Sequence, residues 1–252
     1  MKLHSTISAA IILVTVSACI PQQADDPGNS PANVSSSGPA AGEAKETSAA
    51  IADVPDDAPV IEREEGFQLL SLADFEIFYS KPAGATPVWT AAGNGFNCSG
   101  KPRGYLYSKD EFADYTLRLD FRFPRPAELK GDAEFLGNTG IMIHINGEHR
   151  QWPVSLEVQG KHPEMGTIKA NGGAAAVEIV DQPEVRQRLR RGPGEWNRIE
   201  VISRGGALTA LLNGEKVCES QPGELKAGRI GFQSEDFPVQ FRNVRIRRDA
   251  ET

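Results

Sequence analysis

The sequence predicts an all-β sandwich, and three observations carry that reading. Apolar and polar residues alternate with a period of two through many short segments. Turn-forming residues punctuate those segments at short intervals, and helix signals are confined to one stretch. Period-two alternation marks a strand with one buried face. Many such strands, separated by turns, bury their apolar faces by packing as two sheets.

Taken in order, the first strong alternation places Tyr115, Leu117, Leu119, Phe121 and Phe123 against Thr116, Arg118, Asp120 and Arg122, with Pro124 and Pro126 ending the run. Ile141, Ile143 and Ile145 then alternate with Met142, His144 and Asn146. Val154, Leu156 and Val158 alternate with Ser155, Glu157 and Gln159. Residues 171–176 open with Asn171-Gly172-Gly173 and read as a loop. Residues 183–189, with Pro183 in the first turn, predict one short helix. Asn197, Ile199 and Val201 alternate with Trp196, Arg198 and Glu200. Residues 208–212 lead into Asn213-Gly214, a type I′ hairpin signal because both residues tolerate positive φ, and 216–219 return along it. Ile230 and Phe232 alternate with Gly231 and Gln233. Val239 and Phe241 give way to Val244 and Ile246, a phase slip that predicts a bulge at Arg242-Asn243.

Residues 61–249 are thus expected to form the folded domain. Residues 1–19 read as an export signal: Lys2 precedes an apolar run, 7–16, too short to cross a bilayer as a mature helix. The run ends Val16-Ser17-Ala18-Cys19, similar to a bacterial lipobox, in which cleavage leaves an acylated Cys19 at the new N-terminus. Ile20 after the cysteine resembles signals for outer-membrane sorting, so the domain is expected in the periplasm or at the cell surface, held by a lipid anchor. Residues 20–60 are rich in Pro, Ala, Ser and Gly. Asp25, Asp26, Glu43, Glu46, Asp53, Asp56 and Asp57 face only Lys45 there, so this segment is expected to be a disordered acidic tether. It accounts for most of the net charge of −7, which gives no reason to expect a nucleic-acid partner. An exported chain permits a disulfide between Cys98 and Cys218, and two buried thiols fit equally well.

Chemistry concentrates in residues 137–166. His144, His149 and His162 lie there, three of the chain's four histidines, with Glu148, Glu157, Gln159, Lys161 and Glu164. On two strands of one sheet, His144, Glu157 and Gln159 can share a polar face, although such a face is often only the solvated side of a sheet. Imidazole and carboxylate are the groups that move protons near neutral pH.

The segments GFQLLSLADFEIF, GYLYSKDEFADYTLRLDFRF, GNTGIMIHI, SLEVQG, GEWNRIEV, LLNGEKV, GRIGFQSE and VQFRNVRIR follow one another in this order. Together they resemble the family of 3-keto-disaccharide hydrolase domains. The resemblance implies a concanavalin-A-like jelly-roll sandwich of two curved antiparallel sheets with a ligand cleft on the concave one.

It also implies a reaction. A ketone at C3 of a glycoside acidifies the C2 proton, so a base can form an enolate, the C1 oxygen leaves by elimination, and water adds to complete hydrolysis. Glu157 or His144 is then expected as base and His162 as acid, with Gln159 and Lys161 as donors toward the oxyanion. Asn138 would orient a sugar hydroxyl and Trp152 would stack on a ring, with Arg118, Asp120 and Gln233 as further contacts from neighbouring strands. The alternatives are a lectin-like carbohydrate-binding module without catalysis and a structural envelope lipoprotein. A retaining glucanase needs two close carboxylates, and Glu157-Val158-Gln159 offers one. No cofactor is expected. His144, Glu157 and His162 are acceptable ligand types for a divalent metal, without tight spacing. No phosphate loop, dinucleotide fingerprint or nucleophile elbow is present.

Overall fold

A computed structural model describes residues 64–249; the signal, lipobox and tether readings fall outside them. Fifteen strands follow in chain order. They are β1 (Gln68–Leu69), β2 (Phe75–Tyr79), β3 (Trp89–Ala92), β4 (Gly95–Cys98), β5 (Gly104–Ser108), β6 (Tyr115–Arg122), β7 (Gly140–Asn146) and β8 (Val154–Gln159). Then come β9 (Ile168–Asn171), β10 (Ile179–Asp181), helix α1 (Pro183–Leu189), β11 (Asn197–Arg204), β12 (Ala207–Leu212), β13 (Glu215–Ser220), β14 (Arg229–Ser234) and β15 (Val239–Arg248).

They pair as two antiparallel sheets. One runs β10-β13-β12-β11-β6-β15-β4-β3, with β1 also on β15; the other runs β2-β5-β14-β7-β8-β9. Leu117, Leu119 and Phe121 turn inward from β6, as their alternation with Arg118, Asp120 and Arg122 requires. Leu156 and Val158 turn inward from β8. Aromatic rings join the two layers: Phe232 of the six-stranded sheet lies 5.5 Å from Phe96 and 5.1 Å from Phe241 of the nine-stranded one. Offset and edge contacts of this kind add to the burial of large apolar surfaces.

Local signals behave as their chemistry dictates. Asn213 and Gly214 both have positive φ at the β12–β13 hairpin. Helix α1 begins at Pro183, whose missing N–H costs nothing in a first turn. The pairing of β15 with β6 shifts between Arg242 and Arg245, with Asn243 at φ 58°. Cys98 on β4 and Cys218 on β13 are buried free thiols, with β12, β11, β6 and β15 between their strands.

One strand departs from simple alternation, and the departure decides where His144 goes. On β7, Ile143 pairs with Leu156 and Asn146 with Val154, so three steps on β7 match two on β8. The same shift occurs against β14. His144 is the extra residue, at φ 54°. The bulge reverses the phase, so Ile143 packs in the central core while Ile145 joins Met142 on the outer face.

Candidate active site on the outer face of the six-stranded sheet

Because Leu156 and Val158 face inward, Glu157 stands on the outer face of β8. It is nevertheless only 2 % exposed. Gln233 Nε2, from β14, donates to Glu157 Oε2 over 3.0 Å, and Asn171 Nδ2, from β9, donates to the same oxygen over 2.9 Å. Lys169 Nζ lies 3.6 Å from Oε1. Strand β7 runs between β14 and β8, and the two side chains meet across it at Gly140. A Cβ there would sit 2.3 Å from Glu157 Oε1 and 2.5 Å from Gln233 Oε1. Only the absence of a side chain at residue 140 lets them approach.

Burial pushes the Glu157 carboxyl up to about 7, against the attraction of Lys169 and the hydrogen bond from Gln233. The charge of Glu235, in the turn after β14, adds to the rise. Glu235 is itself half-buried and its carboxyl is raised by burial, opposed by Arg103, Lys169 and Lys161. Two carboxylates in one field, both displaced toward neutrality, are suited to acid–base work. Two acceptors lack donors: the buried amide oxygens of Gln233, which bonds Glu157, and of Asn138, two residues before Gly140, have no hydrogen-bond partner among the described residues.

Aromatic residues flank this polar patch. Tyr105 Oη lies 2.8 Å from His149 Nδ1, and the Tyr107 and His149 rings lie 4.1 Å apart. His149 belongs to loop 147–153, which joins β7 to β8. Arg150 of that loop donates to the Gly172 carbonyl. Gly172 has φ 61°, and a Cβ on it would come within 2.1 Å of the Pro153 carbonyl, so the two loops close together beside Glu157 only with glycine there.

Several expected site residues lie elsewhere. His144 is turned inward by the β7 bulge. Its Nδ1 lies 3.0 Å from the Leu225 carbonyl, its Nε2 3.2 Å from Ser203 Oγ, and its ring meets Tyr115 edge-on. It is therefore on the opposite side of the sheet from Glu157, and burial lowers its pKa. His162 is buried against Phe135, with Nε2 3.3 Å from the Arg191 carbonyl. These bonds tie it to the loops at the end of the sandwich, not to Glu157. Among the described residues no three His, Cys, Asp or Glu side chains are grouped to hold a metal, so His144, Glu157 and His162 do not converge as ligands.

Arg118 and Asp120 point outward from β6, in the other sheet. Arg118 is paired with Glu64 and Glu200, and Asp120 accepts from Arg198. Gln159 stays on the Glu157 strand face, but its Oε1 accepts from the Lys161 backbone N–H at 2.9 Å. Lys161 Nζ is engaged 2.6 Å from Glu164. Trp152 is half-buried in loop 147–153. Gln233 alone of the neighbouring-strand candidates reaches Glu157. Lys169 and Asn171 carried a signal that the sequence reading passed over, since Ile168 and Ala170 alternate with them. Tyr105 and Tyr107 alternate with Leu106 in the same way.

Residues 73–247 match the model of the 3-keto-alpha-glucoside-1,2-lyase-like domain. The chain belongs to that family. No curated protein matches it. A proposed glycosyl hydrolase from Parabacteroides distasonis has a similar fold, with TM-score 0.53, 18% identity, and coverage of 74% of this chain and 95% of the other. A second proposed glycosyl hydrolase from that organism shares 24% identity, with coverage of 64% and 90% and TM-score 0.47. A Bacillus subtilis protein of unknown function with a galectin-like fold matches with TM-score 0.50, 11% identity, and coverage of 72% of this chain and 92% of the other. The 3-keto-glucoside lyase-like domain is thus an all-β jelly-roll sandwich of the galectin and concanavalin type.

Proposed function

We propose that this domain cleaves 3-keto-glycosides by elimination, with Glu157 as the general base at C2. The observation that carries the reading is the buried carboxyl held near 7 with one oxygen fixed and the other not. Both amides, Gln233 and Asn171, donate to Oε2. Oε1, 3.6 Å from Lys169, is left to take a proton. A base with a pKa near the working pH combines a useful ionised fraction with adequate proton affinity.

In the proposed reaction the C2–H proton passes to Glu157 Oε1. Its electron pair delocalises onto the C3 oxygen, where the Lys169 ammonium offsets the charge. The C1–O bond then breaks with its electrons going to the leaving sugar oxygen, which takes a proton from the acid form of Glu235. Water adds to C1 of the enone and gives its released proton to the Glu235 carboxylate, while Glu157 returns its proton to C2, so both carboxyl groups are restored and the sum is hydrolysis. The unpaired oxygens of Asn138 and Gln233 accept sugar hydroxyls. Incubating the full chain with 3-keto-lactose or 3-keto-sucrose and following the released sugar tests this reading. Turnover supports it; binding of intact oligosaccharides without turnover of either keto-sugar would replace it with a carbohydrate-binding module.

We also propose that Cys19 carries lipid and holds the domain in the cell envelope. The support is the sequence Val16-Ser17-Ala18-Cys19 after an apolar run.

A further inference from the structure

A cavity of about 320 Å³ opens on the nine-stranded sheet, lined by Asp120, Arg191, Trp196, Arg198, Asn213 and Arg242. Its place follows from the alternation of β6, where Asp120 points away from the core that Leu119 and Phe121 enter. It therefore lies on the far side of the sandwich from Glu157. The volume falls at the lower end of the ~300–1,000 Å³ typical of small-ligand clefts. Three guanidinium groups surround one carboxylate, in a chain whose net charge is −7.

We propose that this cavity is a second binding site, for an oxyanion borne on a molecule about the size of one sugar ring. Asp120 is a fixed counter-charge that organises the arginines. It is 4 % exposed, accepts from Arg198 Nε at 2.9 Å and from Asn243 Nδ2 at 2.7 Å, and lies 3.4 Å from Arg242 Nε. The last contact lacks hydrogen-bond geometry, which leaves Arg242 Nε a buried donor without an acceptor. The guanidinium of Arg242 stacks 4.0 Å from the centre of the Trp196 ring, and Arg191 Nη1 is anchored 3.1 Å from the Trp196 carbonyl. Among the described residues, no protein acceptor engages the Nη atoms of Arg198 or Arg242.

Carboxylate, sulfate and phosphate groups suit such an arrangement, because a guanidinium presents parallel N–H donors that match two oxygens at once. Three positive side chains against one negative leave the cavity with a surplus of positive charge. Asn213, whose side-chain amide is tied to Leu189, Asn197 and Arg198, and Trp196, whose ring carries the Arg242 guanidinium at 4.0 Å and the Arg122 guanidinium at 4.5 Å, make the lining rigid around the body that carries the anion. The site rests on none of the groups assigned to keto-glycoside cleavage.

Calorimetric titration of the full chain at about 50 mM salt tests the proposal, with glucuronate, glucose and inorganic sulfate as probes. Glucuronate is expected to bind at least tenfold more tightly than glucose and to weaken as salt rises, since partly exposed charges are screened. Arg191→Ala and Arg198→Ala should each weaken glucuronate tenfold or more, while Glu157→Gln leaves it unchanged. Both arginines are exposed, so a variant that melts like wild type yet keeps full glucuronate affinity overturns the site. Equal binding of glucose and glucuronate, or loss of glucuronate binding in Glu157→Gln, overturns it as well. Sulfate separates the sources: weaker binding than glucuronate supports a sugar-borne anion, and equal binding overturns the sugar-sized ligand.

Discussion

Gln233 and Glu157 reach each other from strands that are not neighbours, bonding over 3.0 Å across the intervening β7 at the place where Gly140 has no side chain. This crossing fixes one carboxylate oxygen and buries the group far enough to raise its pKa. The proposed chemistry depends on both effects.

Gly140→Ala should therefore separate the pair. A methyl group 2.3 Å from Oε1 forces Glu157 or Gln233 to move, and overpacking of this kind costs about 1–3 kcal/mol. The expected result is a lower melting temperature and a fall in kcat/KM of roughly tenfold or more. Both are read from purified variant by thermal melting and keto-glycoside kinetics.

Stability should carry a pH signature of Glu157. A carboxyl whose folded pKa is about 7, against roughly 4.3 when unfolded, binds more protons folded than unfolded between those values. Stability must then fall as pH rises through that window, by a few kcal/mol at most. Glu157→Gln removes this contribution, so urea melts at pH 5 and pH 8 should differ less in the variant than in wild type.

His144 should behave as a structural residue. Both ring nitrogens face polar partners inside the sandwich, and the residue sits in the left-handed region at a bulge. His144→Ala is expected to cost about 2–3 kcal/mol through a cavity and unpaired buried groups. The kcat of the protein that remains folded should stay within a few-fold of wild type.

Cys19→Ala should abolish labelling of the chain by radioactive fatty acid and release it from the membrane fraction. Continued membrane association of the variant would contradict the anchor.

The strand phases of β6, β8 and β15 were legible in the sequence because burial on one face leaves a period-two pattern. The Asn213-Gly214 turn was legible because its φ angles restrict residue choice. Glu157 and Gln233 stood out as polar residues alternating with core ones. His144 was misplaced for a physical reason. Its side is set by a bulge that arises from pairing with β8 and β14 at once, and no local residue pattern announces that shift. Glu235 lies beyond the end of β14, in a turn where Asp236 has φ 68°, so its approach to Glu157 is a tertiary fact. His162 offered suitable chemistry, but a packed Phe135 and a backbone carbonyl claim it.

The most direct test of the central claim is hydrogen exchange at C2 of a 3-keto-glycoside in heavy water, followed by NMR in wild type and in Glu157→Gln. Wild type is expected to place deuterium at C2 and release the leaving sugar, and the variant to lose both by about 10²–10⁴-fold. Undiminished exchange and cleavage by a folded Glu157→Gln protein would contradict it.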